Sequence, residues 1–429
     1  MDYTVQPAAS LHGILQLPAD KSISHRAAMF AALHQGRSTI TNFSEAADPH
    51  STLDCMRELG VEIEEPGNHT LIVHGVGRDG LQTPSGDLDC GNSGTTMRLL
   101  SGIIAGSGVS ARLTGDESLS VRTMKRIIEP LRAMGAHIEA REDDFAPLNF
   151  RRDAELKPLH FPLPIPSAQL KSCVLLAGLF GDGPTEVIET LPSRDHTERL
   201  LNLAIEEKEK KRIIRSSRKD VVPGQSYRVP NDFSAAAFWL VAGAIHPEAE
   251  ISLPGVGLNP TRTGALGILQ QMGADMEITN NDHEGAEPVA DIRVKSSPLK
   301  PVKITGEVVP NCIDEIPILA IAMLFADGVS RVSGAEELRH KETDRLNALA
   351  EMLESAGADF EEYKDGFTIK GDPDFRPDPA AFSSFHDHRI AMAAAVLALM
   401  GPDSSTVLNG HCTAISYPGF WEDLSLLTN

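Results

Sequence analysis

No two cysteines in this chain stand at CxxC spacing. The five that exist (Cys55, Cys90, Cys173, Cys312 and Cys412) are scattered singly. An odd count without a framework suits reduced thiols in a cytosol rather than a disulfide or zinc scaffold. Apolar runs are short, and none approaches the roughly 18 residues that span a membrane. The first ten residues, MDYTVQPAAS, carry neither a basic segment nor an apolar one, so no secretory signal is expected and the location is expected to be cytoplasmic. Positive charge is also scarce. Lys and Arg total 39 against 60 Asp and Glu, a net charge of −21. That balance argues against a general binder of nucleic acid or anionic membrane. It leaves room for an anionic small molecule in a local cationic pocket. With 41% hydrophobic residues in 429, there is enough apolar material for two or three cored domains.

One phrase recurs. It reads Met-Arg-Glu-Leu-Gly60-Val-Glu-Ile, then Leu-Arg-Ala-Met-Gly135-Ala-His-Ile, Leu-Gln-Gln-Met-Gly273-Ala-Asp-Met and Leu-Glu-Ser-Ala-Gly357-Ala-Asp-Phe. Each copy is the end of an amphipathic helix, a glycine where positive φ is needed, and the start of a strand. The glycines are 75, 138 and 84 residues apart, so the middle gap is close to two periods. A degraded copy is therefore expected near residue 204, in LLNLAIEEKEKKRIIRS, read as a helix that has lost its glycine. The charged stretch 206–219 within it reads as a solvated helix face or loop. A period of about 72 gives roughly six helix-and-strand units. Two compact α/β domains of three units each fit this size better than a solenoid. The second half is expected to start near Val229, after a proline-ended loop and buried helix at 163–179.

Several helix starts carry cations and small polar residues together. Lys21-Ser22-Ile-Ser24-His25-Arg26 precedes AAMFAAL, with Ser22 or Ser24 as the expected cap. Free N–H groups there, with Lys21 and Arg26, make an anion site. Cys90-Gly-Asn92-Ser-Gly94-Thr-Thr-Met-Arg98 opens another apolar helix and lets backbone N–H groups close around an oxyanion. No Lys precedes its Ser/Thr position, so it is not a Walker loop. Arg122 follows a small-residue turn. Ser167-Ala-Gln169 and Ser193-Arg194-Asp195-His196 lie at loop-to-helix junctions and offer hydroxyl and amide groups.

In the second half, Asp314 and Glu315 precede the apolar run ILAIAMLFA, either as dipole-complementing acids or with one as a general base. Lys341-Glu342-Thr-Asp-Arg345 opens a helical pattern. On one helix face, Lys341 and Arg345 four apart repel by a few tenths of a kcal/mol, which an anion held between them would explain. Glu342 beside them could move protons. His386-Asp387-His388-Arg389 precedes IAMAAAVLALM. It reads as an anion-binding helix start rather than a metal site, because no further ligand cluster completes a set. Gly75-Val-Gly77-Arg-Asp-Gly80 matches GxGxxG, but no helix is expected after it, so the dinucleotide reading fails its context test.

The segments LPADKSISHR, GNSGTTMRLL, SAQLKS, IDEIP, HKETDR and DHR, in this order across nearly the whole chain, closely resemble the 5-enolpyruvylshikimate-3-phosphate synthase family of enolpyruvyl transferases. The resemblance implies a two-domain inside-out α/β barrel of three βαβαββ units per domain, with the active site in the interdomain cleft. It implies a discontinuous first domain, 1–17 plus 229–429, and a second domain, 18–228. The implied reaction transfers the enolpyruvyl group of phosphoenolpyruvate to the 5-hydroxyl of shikimate 3-phosphate, releasing phosphate, in aromatic amino acid biosynthesis. No metal or cofactor is implied, and a monomer acting on these two small molecules is expected, without nucleic acid or membrane.

Carried over by motif, Lys21 contacts both substrates and takes part in catalysis. Ser22, Arg26, Ser167, Gln169, Ser193, Arg194, Asp314 and Lys341 hold shikimate 3-phosphate. Asn92, Gly94, Arg122, Gln169, Arg345 and Arg389 hold phosphoenolpyruvate. Asp314 takes the proton from the 5-hydroxyl, and Glu342 serves protonation at C3. One departure is Ile415, where the family often carries Lys. Two other readings share part of this pattern. UDP-N-acetylglucosamine enolpyruvyl transferases share the fold and donor, but use a reactive Cys where this chain has Glu117. A non-catalytic phosphate-metabolite binding protein would have no need of Asp314 and Glu342.

Overall fold

The structure, a computed structural model, describes residues 1–151, 155–224, 226–281 and 285–428. The chain divides into two compact units. One comprises Ala19–Pro230 with Glu284–Glu287; the other comprises Met1–Pro18, Asn231–His283 and Pro288–Asn429. Each encloses its own hydrophobic core. Among the described residues, no helix is long and apolar enough to cross a membrane.

The unit built on Ala19–Pro230, here the N-terminal unit, has helices α1 (Lys21–Leu33), α2 (Ala47–Glu58), α3 (Gly94–Ser107), α4 (Lys125–Ala133), α5 (Ala168–Gly178) and α6 (His196–Leu201). It has three four-stranded sheets of one pattern. In each, a parallel pair is followed by two antiparallel neighbours, as where Ala111–Thr114 pairs parallel with Leu88–Asp89 and antiparallel with Phe145–Arg151, which also pairs with His137–Arg141. The short strand Ser226–Arg228 returns at the end of the unit to lie parallel to Gln35–Thr41.

The other, C-terminal unit has α7 (Phe233–Ile245), α8 (Gly264–Met272), α9 (Ile316–Leu324), α10 (Arg345–Ser355), α11 (His388–Ala398) and α12 (Phe420–Thr428). Two of its sheets repeat the four-stranded pattern. The third has three strands, with Tyr3–Val5 antiparallel to Ser405–Leu408 and Ala381–Ser383 parallel to it. The strand Leu11–Ile14 completes the sheet of Ala249–Gly257.

Composition sorts the helices. FSAAAFWLVAGAI in α7 and IPILAIAML in α9 are apolar all round, and every residue of both is buried. A helix without a polar face has to lie inside. α1, α5 and α11 are buried in the same way beyond their first residues, and α3 is buried except at Thr95, Arg98, Gly106 and Ser107. α3 and α5 approach so closely that a Cβ on Gly102 would stand 2.2 Å from the Cys173 carbonyl oxygen. The even-numbered α2, α4, α8, α10 and α12 bury one stripe each.

All four repeated glycines adopt positive φ: 91° at Gly60, 108° at Gly135, 90° at Gly273 and 74° at Gly357. The copy near residue 204 corrects the expectation. α6 ends at Leu201 and Asn202 closes it at φ 51°, ψ 46°, so Asn supplies the left-handed residue in place of Gly. The charged stretch after it is neither helix face nor loop. Ile205–Lys208 and Lys211–Ser216 form an antiparallel hairpin turning through Glu209 and Lys210, both at positive φ. Most of its charges face outward, while Ile214 enters the core and Arg212 lies mostly covered beside Glu189. Charge density concealed a strand whose alternation is carried by few apolar residues.

The left-handed turn yields a prediction. Asn202→Ala should lower stability by about 1 kcal/mol, because only Gly and Asn or Asp visit that region cheaply. Asn202→Gly should stay within a few tenths of wild type. Urea unfolding decides it; equal stability of the two variants would mean that the turn does not depend on a left-handed residue.

Candidate active site

In the N-terminal unit, the sequence-singled residues collect at the starts of α1, α3, α5 and α6. The cap of α1 is neither Ser22 nor Ser24 but Asp20, whose carboxylate accepts from the Ile23 N–H at 2.8 Å. Ser24 accepts from the Ser44 N–H instead. Lys21, the first residue of α1, reaches Asp48 at 3.1 Å. Arg26 lies one turn on and is 3% exposed. Its Nε donates to Thr197 Oγ1 (2.8 Å) and its terminal nitrogens to Ser172 Oγ and the Ser22 carbonyl (both 2.9 Å). Among the described residues its hydrogen-bond partners are therefore all uncharged. Burial pushes this guanidinium down to about 10, with Glu198 the largest opposing influence and the charge of Arg194 adding to the depression. Arg26 is thus a cation at neutral pH, held by neutral oxygens.

Ser93 caps α3 by accepting from the Thr96 N–H at 3.1 Å, and Gly94 is the first helical residue. A Cβ on Gly94 would stand 3.1 Å from one Arg98 nitrogen and 3.7 Å from one Arg122 nitrogen, so two guanidiniums flank this helix start. Arg122 donates to Asn92 Oδ1 (2.8 Å) and Ser118 Oγ (3.2 Å). Arg98 donates to Gln169 Oε1 at 2.7 Å, and the Gln169 amide donates to Thr95 at 3.0 Å, tying α3 to α5. Ser167 caps α5. Ser193, just before α6, donates both its N–H and its hydroxyl to Glu189. Arg98 was missed as a candidate, although its place four residues after Gly94 puts it on the same helix face.

His25 extends this cluster inward. Its Nδ1 lies 2.7 Å from Thr52 Oγ1, which lies 2.8 Å from Thr96 Oγ1, which donates to Ser93 Oγ at 2.7 Å. Burial lowers its pKa to about 3, with the charge of Asp48 opposing.

In the C-terminal unit, the structure overturns one sequence argument. Lys341 is not on the helix of Arg345. It follows the 3₁₀ turn Glu336–His340 in extended backbone, and α10 starts at Arg345 behind the Asp344 cap. Both cations instead approach the same Asp314 oxygen, each at 3.3 Å. The internal carboxylate explains their proximity without any bound anion. Arg345 is 1% exposed and reaches Asp387 (2.8 Å) and Glu342 (2.7 Å) as well. Burial acts to lower its pKa, but Asp387, Glu342 and Asp314 outweigh it and hold the guanidinium above its ordinary value.

The two acids of the Asp314-Glu315 motif part company. The Asp314 side chain is 15% exposed, while Glu315 is fully buried on Arg262 at 2.9 Å and accepts from Ser234 at 2.6 Å. Arg389 donates to the Asp314 carbonyl (3.0 Å) and Ser234 Oγ (3.1 Å) at the first turn of α11. Arg262 and Ser234 had no sequence signal, since neither follows a recognisable pattern. The His-x-His pair diverges: His388 is buried, and His386 is exposed beside His411. Ile415 packs against the core and brings no charge.

These arrangements make two predictions. Arg345→Met strands Asp387, whose side chain is fully buried, and should cost about 3–5 kcal/mol. Lys341→Met removes a part-exposed partner and should cost under about 1 kcal/mol. Chemical denaturation checks both; a mild Arg345→Met would mean that Asp387 is stabilised by something other than this pair. The second concerns His25. Neutral when folded but titrating near 6.5 when unfolded, it adds stability fully present above about pH 6.5 and lost as pH falls towards about 3. The slope is about 1.4 kcal/mol per pH unit. His25→Asn should therefore show a flatter stability profile between about pH 6 and pH 4 than wild type. An imidazole resonance of His25 titrating near 6.5 in the folded protein would contradict this.

The family model for EPSP synthase (3-phosphoshikimate 1-carboxyvinyltransferase) matches residues 5–424. The 3-phosphoshikimate 1-carboxyvinyltransferase of Salinibacter ruber is 51% identical over 428 residues, covering 99% of both chains. That of Chloroflexus aurantiacus is 47% identical, covering 99% of this chain and 98% of its own. Among solved structures, the EPSP synthase of Acinetobacter baumannii superposes with a TM-score of 0.89 at 40% identity, covering 100% of this chain and 98% of that one. Similarity of this extent takes in both units and every helix start described above, and the chain belongs to the EPSP synthase family.

Proposed function

We propose that the two helix-start clusters serve one reaction, the N-terminal unit supplying mostly anion-binding groups and the C-terminal unit the groups that move protons. The reaction is enolpyruvyl transfer from phosphoenolpyruvate to the 5-hydroxyl of shikimate 3-phosphate, the shikimate-pathway step of the family. The hydroxyl oxygen bonds to C2 of phosphoenolpyruvate while C3 gains a proton. The tetrahedral adduct then loses phosphate as C3 gives the proton up.

In this reading Lys21, Ser22, Arg26, Ser167, Gln169, Ser193, Arg194, Asp314 and Lys341 bind shikimate 3-phosphate. Lys21, Asn92, Gly94, Arg122, Gln169, Arg345 and Arg389 bind phosphoenolpyruvate. Arg122 and Arg26 support it best, since among the described residues their hydrogen-bond partners are neutral and no carboxylate lies at hydrogen-bond distance. Arg345 enters with a single unused N–H, because four of its bonds already go to Asp314, Glu342 and Asp387. Its larger part is to hold the two working carboxylates. Asp314 is the base for the 5-hydroxyl, Glu342 the group that serves C3, and Lys21 assists as the cation shared by both substrates. A cytoplasmic monomer is the expected working form, which light scattering of the purified protein would check.

One observation carries the reading beyond anion binding. Asp314 and Glu342 hang on one buried guanidinium while keeping 15% and 28% of their side chains exposed. A protein that only bound phosphate metabolites would gain nothing from two accessible carboxylates there. Phosphate release from phosphoenolpyruvate with shikimate 3-phosphate as acceptor tests it, with UDP-N-acetylglucosamine as the acceptor expected to fail. Asp314→Asn and Glu342→Gln should lower kcat by about 10²–10⁴-fold while substrate dissociation constants stay within a few-fold. Near-normal kcat in either variant removes that residue's role.

A further inference from the structure

Lys171 is an ammonium in the middle of an apolar helix. It lies in α5, AQLKSCVLLAG, and is fully buried. Its Nζ stands 2.9 Å from Glu189, 2.7 Å from Glu198 and 3.2 Å from the Ser193 carbonyl oxygen. Its ammonium thus makes one hydrogen bond, to the Ser193 carbonyl, and two close ion pairs. Neither glutamate side chain is more than 1% exposed.

The network grips one residue on both sides. Lys171 takes the Ser193 carbonyl, and Glu189 takes the Ser193 N–H at 3.1 Å and its hydroxyl. The next residue of α5, Ser172, lies 2.7 Å from Thr197 Oγ1, and these two hydroxyls receive the Arg26 guanidinium. Glu198, next to Thr197 in α6, is the largest favourable charge on Arg26. Lys171, Arg26, Glu189 and Glu198 are thus all buried around the segment that leads into α6, with Arg212 3.6 Å from Glu189 at its edge. A fold that wanted only stability would do as well with apolar side chains of similar volume at these positions.

We propose that Lys171 is a positioning residue: its ammonium, shared among Glu189, Glu198 and the Ser193 carbonyl, presets the Ser193–Arg194 segment and Arg26 as a receptor for the phosphorylated acceptor, and so sets acceptor affinity without touching the ligand. This rests on the reading that Arg26, Ser193 and Arg194 bind shikimate 3-phosphate.

The experiment uses the full chain and isothermal titration with shikimate 3-phosphate, beside steady-state KM for phosphoenolpyruvate and thermal melts. Lys171→Met alone takes the Lys171 pair from buried Glu198 and leaves Glu189 only Arg212 at 3.6 Å, and is expected to destabilise. The informative variant is the triple Lys171→Met, Glu189→Gln, Glu198→Gln, which removes the charges and keeps an amide oxygen for Ser193. It should melt close to wild type yet bind the acceptor about tenfold more weakly, with KM for phosphoenolpyruvate within about threefold. Acceptor affinity within twofold of wild type in the folded triple variant overturns the proposal. So does failure of that variant to fold, which would make the network a stability element. Ser193→Ala and Arg26→Lys separate the two layers. If they leave acceptor affinity intact, the assignment of the acceptor to this cluster is what fails. If they weaken it and the triple variant does not, Lys171 is what fails.

Discussion

A guanidinium does not lose its proton at any physiological pH, so every buried arginine must be answered by the protein or by something it binds. Two buried arginines here are answered in opposite ways. Arg345 meets three carboxylates, Asp314, Glu342 and Asp387, within 3.3 Å. Arg26 meets three neutral oxygens, and its largest favourable charge is Glu198, the residue after Thr197 in α6. The first is saturated and organises its neighbours. The second has, among the described residues, only neutral hydrogen-bond partners. The polar groups of both units can be arranged around this contrast.

The contrast depends on how the helices are buried. A helix that is apolar all round, such as α7 or α9, cannot present a polar face, and what it offers to solvent or ligand is its ends. At its N-terminus, free N–H groups and the helix dipole favour negative charge. Some of that preference is met by caps, Asp20 on α1 and Asp387 on α11 among them. Where the cap is a serine, as on α3 and α5, the end stays electropositive. The cations Arg98 and Arg122 then add to a field already of the right sign for phosphate.

Much of the local structure was legible in the sequence because local chemistry dictates it. The glycine after each amphipathic helix is where positive φ is needed, and the motif residues fall at helix starts because Ser, Asp and Gly belong there. What escaped was either a substitution of equivalent chemistry or a pairing across long sequence separation. Asn202 does the work of a glycine and so hid a repeat. Glu209 and Lys210 make a hairpin turn from residues that composition assigns to solvent. Lys341 looked like a helix residue because nothing local marks the end of the preceding 3₁₀ turn. Arg262 meets Glu315 across 53 residues and Arg26 meets Thr197 across 171, separations that no window of sequence can contain.

Asp314 and Glu315 show how far a single step of backbone can divide chemistry. They occupy one 3₁₀ turn, Ile313–Glu315, where successive side chains point about 120° apart. One is carried inward to Arg262 and Ser234, fully buried; the other is left at the boundary, between Lys341 and Arg345. The inner acid anchors Ser234, which in turn receives Arg389, and Arg389 reaches back to the Asp314 carbonyl. The outer acid is therefore fixed through its backbone by the charge network of its neighbour while its carboxylate stays accessible. Adjacent acids on a tight turn thus divide two tasks, one anchoring the turn from inside and the other standing partly exposed among cations.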